Sequence, residues 1–455
     1  MLPAIARTFF RIQERLLGRP TFRLLGELEQ SQWWPREQIE SLEFERLRDI
    51  LSAAYAHTPY WRQVMDRAGM RPEEVGSLAD LRRLPLLDKE TVRVHREEMS
   101  WCGAARRTWL GRTGGSTAMP FEFYTSALRE AHISAARMRG HDWVGMRRGE
   151  REMYFWGSPV ERSKQDRLKS LRDWLINDGF TDGFNVTDAA VPGLVAAWRR
   201  FRPKCIFCYP SSMALVVKMA RRQGIDLRGV AETGLKMIIT TAEVLGPMRE
   251  EIAEAFGVPV YDSYGLRELA LVGHECRHQT MHATEEQLIL ETVDPVTLEP
   301  TEGEGELVAT SLIARALPMI RYRTGDVVTL SDAPCACGRT LRQLSVTGGR
   351  NVDFVVTSKG VWVSGYVFVY LMKEVPGIVK LQVQQERIGH IRLLVVPDER
   401  FRSIGKPMLL HNVRTRLDCD DEIELCEVPD IPVAPSGKHR LVVSRVAEQM
   451  RRNRC

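Results

Sequence analysis

The sequence contains no uninterrupted apolar run near the ~18 residues that a membrane-spanning helix needs, and we therefore expect no membrane span. Residues 1–20 lack an apolar core followed by a cleavage site, so no signal peptide is expected and the protein is predicted to be cytoplasmic. Cysteine is scarce and odd in number, with nine in 455 residues. Without a signal peptide, this favours free thiols or metal ligands over a framework of disulfides.

A large excess of charge of one sign is also missing. Lysine and arginine total 64 against 59 aspartate and glutamate residues, which leaves a net charge of +5. No basic stripe with interleaved aromatic residues stands out, and nucleic acid is therefore not an expected partner. The glycine-rich stretch at residues 111–120 lacks a Gly-Lys-Ser/Thr ending, and the chain is therefore not predicted to be a P-loop NTPase.

The composition, 44% hydrophobic and 27% charged, is that of a globular protein. The length predicts two or three folding units. Residues 1 to about 100 have helical periodicity, and in the first helix arginines separate the apolar positions: Leu2, Ile5, Phe9, Ile12, Leu16 and Leu17, with Arg7, Arg11, Arg15 and Arg19 between them. We expect this helix to cover the core, and a basic amphipathic contact with a membrane surface is the alternative.

Between residues 126 and 265, short apolar strands alternate with helices, which predicts α/β architecture with a largely parallel sheet. Strands are predicted at 151–157, 203–209, 234–243 with a polar end, and 258–265, with helices at 126–139, 161–175 and 248–256 and a serine-capped helix from Ser211-Ser212. Ligands bind beyond the carboxyl ends of such strands, where this chain has Trp156, Tyr209, Thr241 and Tyr264.

Beyond residue 285 the pattern changes to hairpin strands of a β-rich subdomain, at 288–293, 305–312 and 325–330. Gly348-Gly349-Arg350 marks the predicted boundary between an N-terminal domain, 1–349, and a C-terminal α+β lid domain, 350–455. The lid has predicted strands near 352–356, 378–384 and 391–396 and a helix near 408–417.

Glycine and hydroxyl side chains are concentrated in residues 111–120, GRTGGSTAMP, ahead of the alternating run FEFYT. Such a loop lets backbone N–H groups and hydroxyls converge on a phosphate, because glycine permits close approach and positive φ. A solvated loop ahead of a strand is the alternative interpretation.

Four motifs follow one another in a fixed order: Thr113-Gly114-Gly115-Ser116-Thr117, Tyr264-Gly265-Leu266-Arg267-Glu268, Arg321-Tyr322-Arg323-Thr324-Gly325-Asp326 and Pro435-Ser436-Gly437-Lys438. In this order the chain resembles the adenylate-forming superfamily of acyl-CoA ligases and adenylation domains. Its details are most similar to the phenylacetate–CoA ligase and capsular-polysaccharide-synthesis-type branch, and the resemblance runs nearly the whole length.

The resemblance implies a nucleotide- and phosphate-binding site made of Thr113, Gly114, Gly115, Ser116, Thr117, Thr241, Ala242, Glu243, Asp262, Ser263, Tyr264, Gly265, Asp326 and Arg350. In it, Tyr264 stacks on adenine and Asp326 accepts the ribose hydroxyls. Glu268 is implied as a Mg²⁺ ligand, since carboxylates suit this hard cation. Lys438 is implied as the catalytic cation between the acid and the α-phosphate. Read without the resemblance, these side chains also fit a helix-start carboxylate, a core tyrosine, a turn cap and a solvated lysine.

The chain departs from the family pattern in two notable places. Many relatives have Gly-Lys where this chain has Ala118-Met119, so one charge facing pyrophosphate is missing, and Arg112 is a candidate to replace it. At the hinge, relatives commonly carry Asp, Asn or Lys where Val352 stands here. This bears on domain rotation, and through it on the second half-reaction.

Cysteine and histidine residues cluster at Cys276, His278, His282, Cys335 and Cys337. Thiolates and imidazoles suit tetrahedral Zn²⁺, although the spacing alone also fits reduced cysteines and surface histidines. The branch resembled here often has Cys, His and Cys-x-Cys at these places. The resemblance therefore implies a structural Zn²⁺ held by Cys276, His282, Cys335 and Cys337, with His282 preferred to His278 because a Met-His precedes a strand in relatives.

The implied activity is that of an ATP-dependent, AMP-forming acid–thiol ligase, which makes an acyl-adenylate, releases pyrophosphate and passes the acyl group to coenzyme A. The predicted acid pocket is lined by Trp156, Gly157, Tyr209, Pro210, Ser211 and Ser212, and its aromatic side chains favour an aryl or arylacetic acid. An amine or sugar acceptor in place of coenzyme A, and a non-catalytic nucleotide- or acyl-binding protein, are the alternatives. A homodimer is compatible with the sequence, which does not decide the oligomeric state.

Overall fold

The computed structural model of the chain describes residues 1–104, 107–112, 121–156, 166–183, 186–348, 354–360, 362–365, 368, 371–372, 375–417, 420–431 and 441–446. These residues form the helices α1 (Pro3–Leu16), α2 (Thr21–Ser31), α3 (Arg36–His57), α4 (Pro59–Arg67), α5 (Lys89–His95), α6 (Ala127–Trp143), α7 (Asp166–Leu175), α8 (Val191–Phe201), α9 (Pro210–Arg222), α10 (Arg228–Glu232), α11 (Met248–Phe256) and α12 (Lys406–Leu417). Within them, no helix combines the length and the apolarity needed to cross a membrane.

The described strands are β1 (Thr108–Arg112), β2 (Glu122–Ser126), β3 (Glu152–Phe155), β4 (Asp178–Thr181), β5 (Cys205–Cys208), β6 (Met237–Thr241), β7 (Val260–Leu266), β8 (Ala270–Glu275), β9 (Met281–Ala283), β10 (Leu288–Val293), β11 (Glu304–Ser311), β12 (Tyr322–Ser331), β13 (Gln343–Gly348), β14 (Phe354–Val356), β15 (Trp362–Ser364), β16 (Ile378–Gln385), β17 (His390–Pro397), β18 (Glu422–Glu427) and β19 (Val442–Ser444). Short 3-10 helices lie at Pro72–Glu74, Leu78–Arg83 and Cys102–Ala104, and a π-helical turn at Phe401–Gly405.

One large sheet organises the first 348 residues, with the strand order β10-β11-β12-β13-β9-β8-β7-β6-β5-β3-β4. Strands β4, β3, β5, β6 and β7 are parallel, and the pairs from β7 through β8 and β9 to β10 are antiparallel. The predicted α/β class is therefore confirmed. The hairpin strands expected beyond residue 285 are present as β10–β13, and they continue the same sheet.

The large sheet curls back on itself. Strands β7 and β12 have three strands between them, so a flat sheet with roughly 4.8 Å between strands would place them about 19 Å apart. The side chains of Tyr264 on β7 and Asp326 on β12 nevertheless form a hydrogen bond of 2.8 Å. We call the junction of β9 with β13 the seam of this curl. In the described residues it is one residue pair wide, Gln343 with His282.

Helices α3 and α4 share one apolar core with strands of the β-rich half of the sheet. This core joins side chains from α3 and α4, such as Leu47 and Trp61, to Tyr322 on β12 and Leu344 on β13. The Trp61 indole N–H donates to the carbonyl of Pro318 at 3.0 Å. The N-terminal segment thus fixes the β-rich half of the sheet.

Helix α1 departs from its prediction. Its outward residues Leu2, Ile5, Phe9, Ile12 and Leu16 are exposed, so the expectation that these side chains cover the core is wrong. The inner face is held by Ala6, which is fully buried, and by Phe10, whose ring lies 6.0 Å from that of Phe22.

The last part of the chain forms separate sheets. Strands β18-β17-β16-β19 make one of them and β14-β15 another. Buried Gln385 ties the two together, because its side chain bonds the backbone of Val356 and accepts from the Ser444 hydroxyl at 2.9 Å. Lys218 on α9 donates to the carbonyl of Gly360 at 2.7 Å. The predicted boundary at residue 350 falls among residues 349–353, which are not described, and it stays a prediction.

Candidate active site

Polar residues follow the carboxyl ends of the parallel strands β6 and β7, as predicted. Thr241 closes β6, and Ala242 then takes a left-handed conformation with φ +71°, which a residue with a side chain seldom adopts. Such local strain is typical of functional turns. Ser263, Tyr264 and Gly265 lie in β7, on the neighbouring strand end.

Glu243 joins the predicted nucleotide side to the predicted acid pocket. Its carboxylate accepts from the Ser211 backbone N–H at 3.0 Å and from the Ser211 hydroxyl at 2.8 Å. The predicted serine cap of α9 is therefore wrong: the residue before the helix is Tyr209, without a side-chain cap bond, and Glu243 satisfies the helix end instead. Burial raises the pKa of Glu243 to about 7, against the lowering effect of these bonds.

Asp262 is held in a network that crosses β6 and β7. Its carboxylate accepts from the Thr240 hydroxyl at 2.8 Å and from the Ser263 N–H at 3.0 Å, while its own N–H donates to Glu275 at 2.8 Å. Burial, with repulsion from Glu275, raises the pKa of Asp262 to about 7. Through these hydrogen bonds the carboxyl group fixes the ends of β6 and β7.

Tyr264 on β7 and Asp326 on β12 are in contact where the curled sheet brings these two strands together. The Tyr264 hydroxyl donates to Asp326 Oδ2 at 2.8 Å, Tyr264 is partly exposed and Asp326 is buried. The Asp326 N–H also donates to the Thr324 hydroxyl at 3.1 Å, which orients the turn. The aromatic ring and the carboxylate predicted to bind adenine and ribose are thus adjacent.

Glu268 is buried directly beyond β7. Its Oε1 accepts from the Tyr322 hydroxyl at 3.1 Å and lies 3.6 Å from the Lys89 ammonium. Lys89 reaches this position because Leu87 pairs with Tyr322 at the edge of β12. A buried carboxylate fits a Mg²⁺ site of the usual kind, which takes one or two carboxylates together with substrate phosphates and water, and a Mg²⁺ ion bound there would lie beside the Lys89 ammonium as a second cation.

Sequence reasoning missed Lys89 and Tyr322. For Tyr322 a signal existed: residues two apart on a strand share a face, and Tyr322, Thr324 and Asp326 alternate along β12 and are all buried. Lys89 follows Asp88, which caps α5 by accepting from the Thr91 N–H at 2.8 Å. Nothing in that local pattern points to Glu268, 179 positions further on by residue number.

The glycine-rich loop connects the two strands of a hairpin, since Arg112 at the end of β1 pairs with Glu122 at the start of β2. The predicted phosphate-binding residues Thr113, Gly114, Gly115, Ser116 and Thr117 lie outside the described residues, as do Gly157, Val352, Arg350 and Lys438. Arg112, the candidate to replace a missing lysine, donates to Glu122 at 2.8 Å. Its charge is already paired in this structure.

The predicted acid pocket is aromatic where it is described. The rings of Trp156 and Tyr209 stack at 3.9 Å with an interplanar angle of 16°, and Phe207 lies 5.5 Å from Trp156. Pro210 begins α9, and Ser211 and Ser212 are buried in its first turn. The structure thus brings these side chains together at the ends of β3 and β5.

Cys276, His282, Cys335 and Cys337 converge, with all four ligand atoms within 4.8 Å of one another. The two sulfurs of Cys276 and Cys335 are 3.8 Å apart, and Cys337 Sγ is 3.2 Å from His282 Nε2. His282 Nδ1 lies 3.0 Å from the Leu341 carbonyl. Donation of an Nδ1–H to that carbonyl leaves Nε2 as the ligand atom. Three thiols and one imidazole fit the donor set of a structural Zn²⁺ site.

This cluster sits on the seam of the curled sheet. Cys276 follows β8, His282 lies in β9, and both Cys335 and Cys337 lie in the connection from β12 to β13. Ile39, Trp143 and Leu341 surround it with apolar surface. A metal held here would link the two halves of the sheet where, among the described residues, the one strand pair is Gln343 with His282.

Comparison with known proteins gives these features a context. A family model described as the CapK C-terminal domain matches residues 355–445. The phenylacetate-coenzyme A ligase of Thermus thermophilus is 28% identical over 413 residues, covering 83% of this chain and 86% of the relative. That of Aromatoleum evansii is 27% identical over 454 residues, covering 92% and 97%. The chain is a homologue of the phenylacetate–coenzyme A ligases.

The fold of this homologue also matches solved structures. A 2-hydroxyisobutyryl-CoA ligase in complex with 2-HIB-AMP and CoA aligns with a TM-score of 0.63 at 21% identity, covering 93% of each chain. This likeness shows that the chain shares the fold of that ligase. The sequence similarity to the phenylacetate–coenzyme A ligases, together with the match to the CapK C-terminal domain, confirms the branch inferred from the four sequence motifs.

Proposed function

We propose that this phenylacetate–coenzyme A ligase homologue activates a carboxylic acid with ATP, releases pyrophosphate and transfers the acyl group to the thiol of coenzyme A. The observation that carries the proposal is the convergence of Tyr264, Asp326 and Glu268 at the carboxyl end of β7. An aromatic face, a ribose acceptor and a buried carboxylate are the groups that bind ATP with Mg²⁺.

In this proposal the chain mainly positions charge. Tyr264 stacks on the adenine and Asp326 accepts from the ribose, which fixes the α-phosphate beyond the strand ends. Glu268 would hold Mg²⁺, which would neutralise charge on the phosphates, and Tyr322 and Lys89 orient that carboxylate. The glycine-rich loop, including Thr113 and Ser116, holds the leaving pyrophosphate. Lys438 reaches the reacting carboxylate from the C-terminal lid.

For the acid, we propose an aryl or arylacetic compound. The support is the stack of Trp156 on Tyr209, which presents flat apolar faces beside the start of α9. The names of the curated relatives point to the same class. Because ATP and coenzyme A are both used in the cytoplasm, we also propose a cytoplasmic location.

The proposal predicts carboxylate-dependent exchange of pyrophosphate into ATP. Purified protein, ATP, Mg²⁺ and labelled pyrophosphate are incubated with a panel of aryl, arylacetic, hydroxy and aliphatic acids. Exchange is expected to be highest with arylacetic acids. Exchange with none of the panel acids would contradict catalysis and favour a binding protein on this fold.

The acceptor is tested by the same protein with the best acid. If coenzyme A is the acceptor, its addition, but not that of amines, should stimulate AMP release and yield a thioester. A second candidate is an amine or sugar hydroxyl acceptor, and its support is the resemblance to the capsular-polysaccharide-synthesis-type branch, with a CapK C-terminal domain match over residues 355–445. AMP release stimulated only by an amine or a sugar would support this candidate.

We further propose a structural Zn²⁺ bound by Cys276, His282, Cys335 and Cys337. Purified protein is expected to contain one zinc per chain, and Cys335→Ser with Cys337→Ser should remove it. The melting temperature should then fall by roughly 5 °C or more, since each kcal/mol is worth about 2–4 °C in domains of this size class. Cys426→Ser, which alters a thiol outside the cluster, is the matched control. Zinc well below one per chain, with stability unchanged by chelators, would contradict the site.

A further inference from the structure

Helix α1 presents an apolar stripe to the outside of the molecule. Leu2 and Leu16 are 69% and 76% exposed, and Ile5, Phe9 and Ile12 between them are 38–47% exposed. Steps of three and four residues place all five on one face of the helix. Scattered exposed apolar residues are ordinary, but a contiguous row of this kind marks a contact surface.

The opposite face holds α1 in place. Ala6 is buried, Arg148 lies 4.3 Å over the ring of Phe10, and the Glu14 carboxylate accepts from the Thr21 hydroxyl. The fit is close, because a Cβ added at Gly149 would lie 2.3 Å from the Pro3 carbonyl oxygen. The outward stripe is therefore part of a docked and preformed helix.

The exposed charge of α1 is positive. Arg11 and Arg15 are exposed, and Arg7 is partly buried; the guanidinium groups of Arg7 and Arg11 lie 5.8 and 4.5 Å from the ring centroid of Phe22. No described acidic side chain forms an ion pair with these three arginines. The single acidic residue of α1, Glu14, is 1% exposed and is paired with Arg19. The surface accordingly offers cations and apolar side chains without exposed carboxylates of its own.

A second apolar element lies close to the start of α1. Asn177 donates to the Met1 carbonyl at 3.0 Å, and Trp174, three residues before it, is 61% exposed. Leu171, one helical turn earlier on α7, is 52% exposed. Tryptophan is enriched where proteins meet the headgroup region of a bilayer.

We propose that the outer face of α1 docks on an anionic phospholipid surface, with Arg11 and Arg15 at the headgroups and the apolar row inserted at the acyl boundary. A second copy of the chain is disfavoured as the occupant. A stable protein interface takes roughly 20–30 residues a side, far more than this row, and two copies would bring arginines together without facing acids. The contact is peripheral and does not depend on the activity proposed above.

The test is flotation of the full-length protein with vesicles of phosphatidylcholine alone or with 30 mol% phosphatidylglycerol, the fraction being about that of an anionic membrane. Binding is expected only to the anionic vesicles and should weaken as salt is raised. Ile5→Ser with Phe9→Ser and Ile12→Ser should abolish it. Arg11→Gln with Arg15→Gln should weaken it by about 30-fold, the equivalent of two basic contacts.

Val296→Ser with Ile388→Ser and Ile404→Ser is the matched control, because these three exposed apolar residues lie elsewhere on the surface. It should bind like the parent, and all variants should keep the parent's melting temperature and circular dichroism. Failure of the parent to float with anionic vesicles, or equal loss in the control, would overturn the proposal. The proposal would also be overturned if the parent sedimented as a dimer, bound no vesicles, and became a monomer in the Ile5→Ser, Phe9→Ser and Ile12→Ser variant.

Discussion

Replacing Glu268 by glutamine should lower Mg²⁺-dependent adenylation by about 10²-fold or more, because charge stabilisation through a divalent ion is worth several kcal/mol. Glutamine keeps the size of the side chain and can still accept from the Tyr322 hydroxyl. It removes only the negative charge, which also leaves Lys89 without its neighbouring carboxylate. The measurement is pyrophosphate exchange across a Mg²⁺ titration, and saturating Mg²⁺ should not restore the rate.

Two variants separate this charge effect from damage to the fold. Glu43→Gln changes another buried carboxyl, which accepts from Arg36 at 3.2 Å and belongs to none of the predicted sites, so the variant should be as active as the parent. Tyr322→Phe keeps the Glu268 charge and should cost less than Glu268→Gln. Activity of Glu268→Gln within a few-fold of the parent at saturating Mg²⁺ would show that Glu268 is not the metal ligand.

Lys438→Ala should reduce acyl-adenylate formation by about 10² to 10³, the scale of removing one preorganised charge-stabilising donor. The family resemblance places this lysine between the acid's carboxylate and the α-phosphate, where negative charge develops in the first half-reaction. Transfer from synthetic acyl-adenylate to coenzyme A should survive. The lid must turn this lysine away before the thiol can attack.

Both half-reactions should be measured on the same preparation of Lys438→Ala. Lys406→Ala is the matched control, since Lys406 belongs to the same C-terminal part and pairs at the surface with Glu427 at 3.0 Å. It should leave both rates close to the parent values. Equal losses in the two half-reactions of Lys438→Ala would mean that the lid as a whole is damaged, and the proposed division of labour would be wrong.

Local patterns were sufficient for much of the fold. Helix α11 and strand β10 have the predicted bounds, and Ser126 caps α6 by accepting from the Arg129 N–H at 3.3 Å. Periodicity captures these elements because each depends on neighbours within one or two turns. The residues at the ends of β6 and β7 were also predicted, because strand ends in parallel sheets share one edge.

Features that depend on distant contacts were not predicted. The cap of α9 by Glu243 joins residues 32 positions apart, and the contact between Lys89 and Glu268 requires the edge of β12. The outward orientation of α1 was missed for a related reason. Its stripe has the spacing of a buried face, and sequence periodicity does not tell which side of a helix the rest of the protein occupies.

The large sheet consists of two groups of strands, which meet at the narrow seam between β9 and β13. Gln343 and His282 are the only described strand pair across it, and the two sides are otherwise joined by side chains, in the shared apolar core, in the cysteine–histidine cluster and in the bond between Tyr264 and Asp326. Substitutions at the seam can therefore change the distance between β7 and β12, which carry Tyr264 and Asp326, without breaking the hydrogen bonds between neighbouring strands. Proteins of this fold can therefore change the size of the ligand they accept through substitutions at the seam, away from the residues that contact the reacting groups.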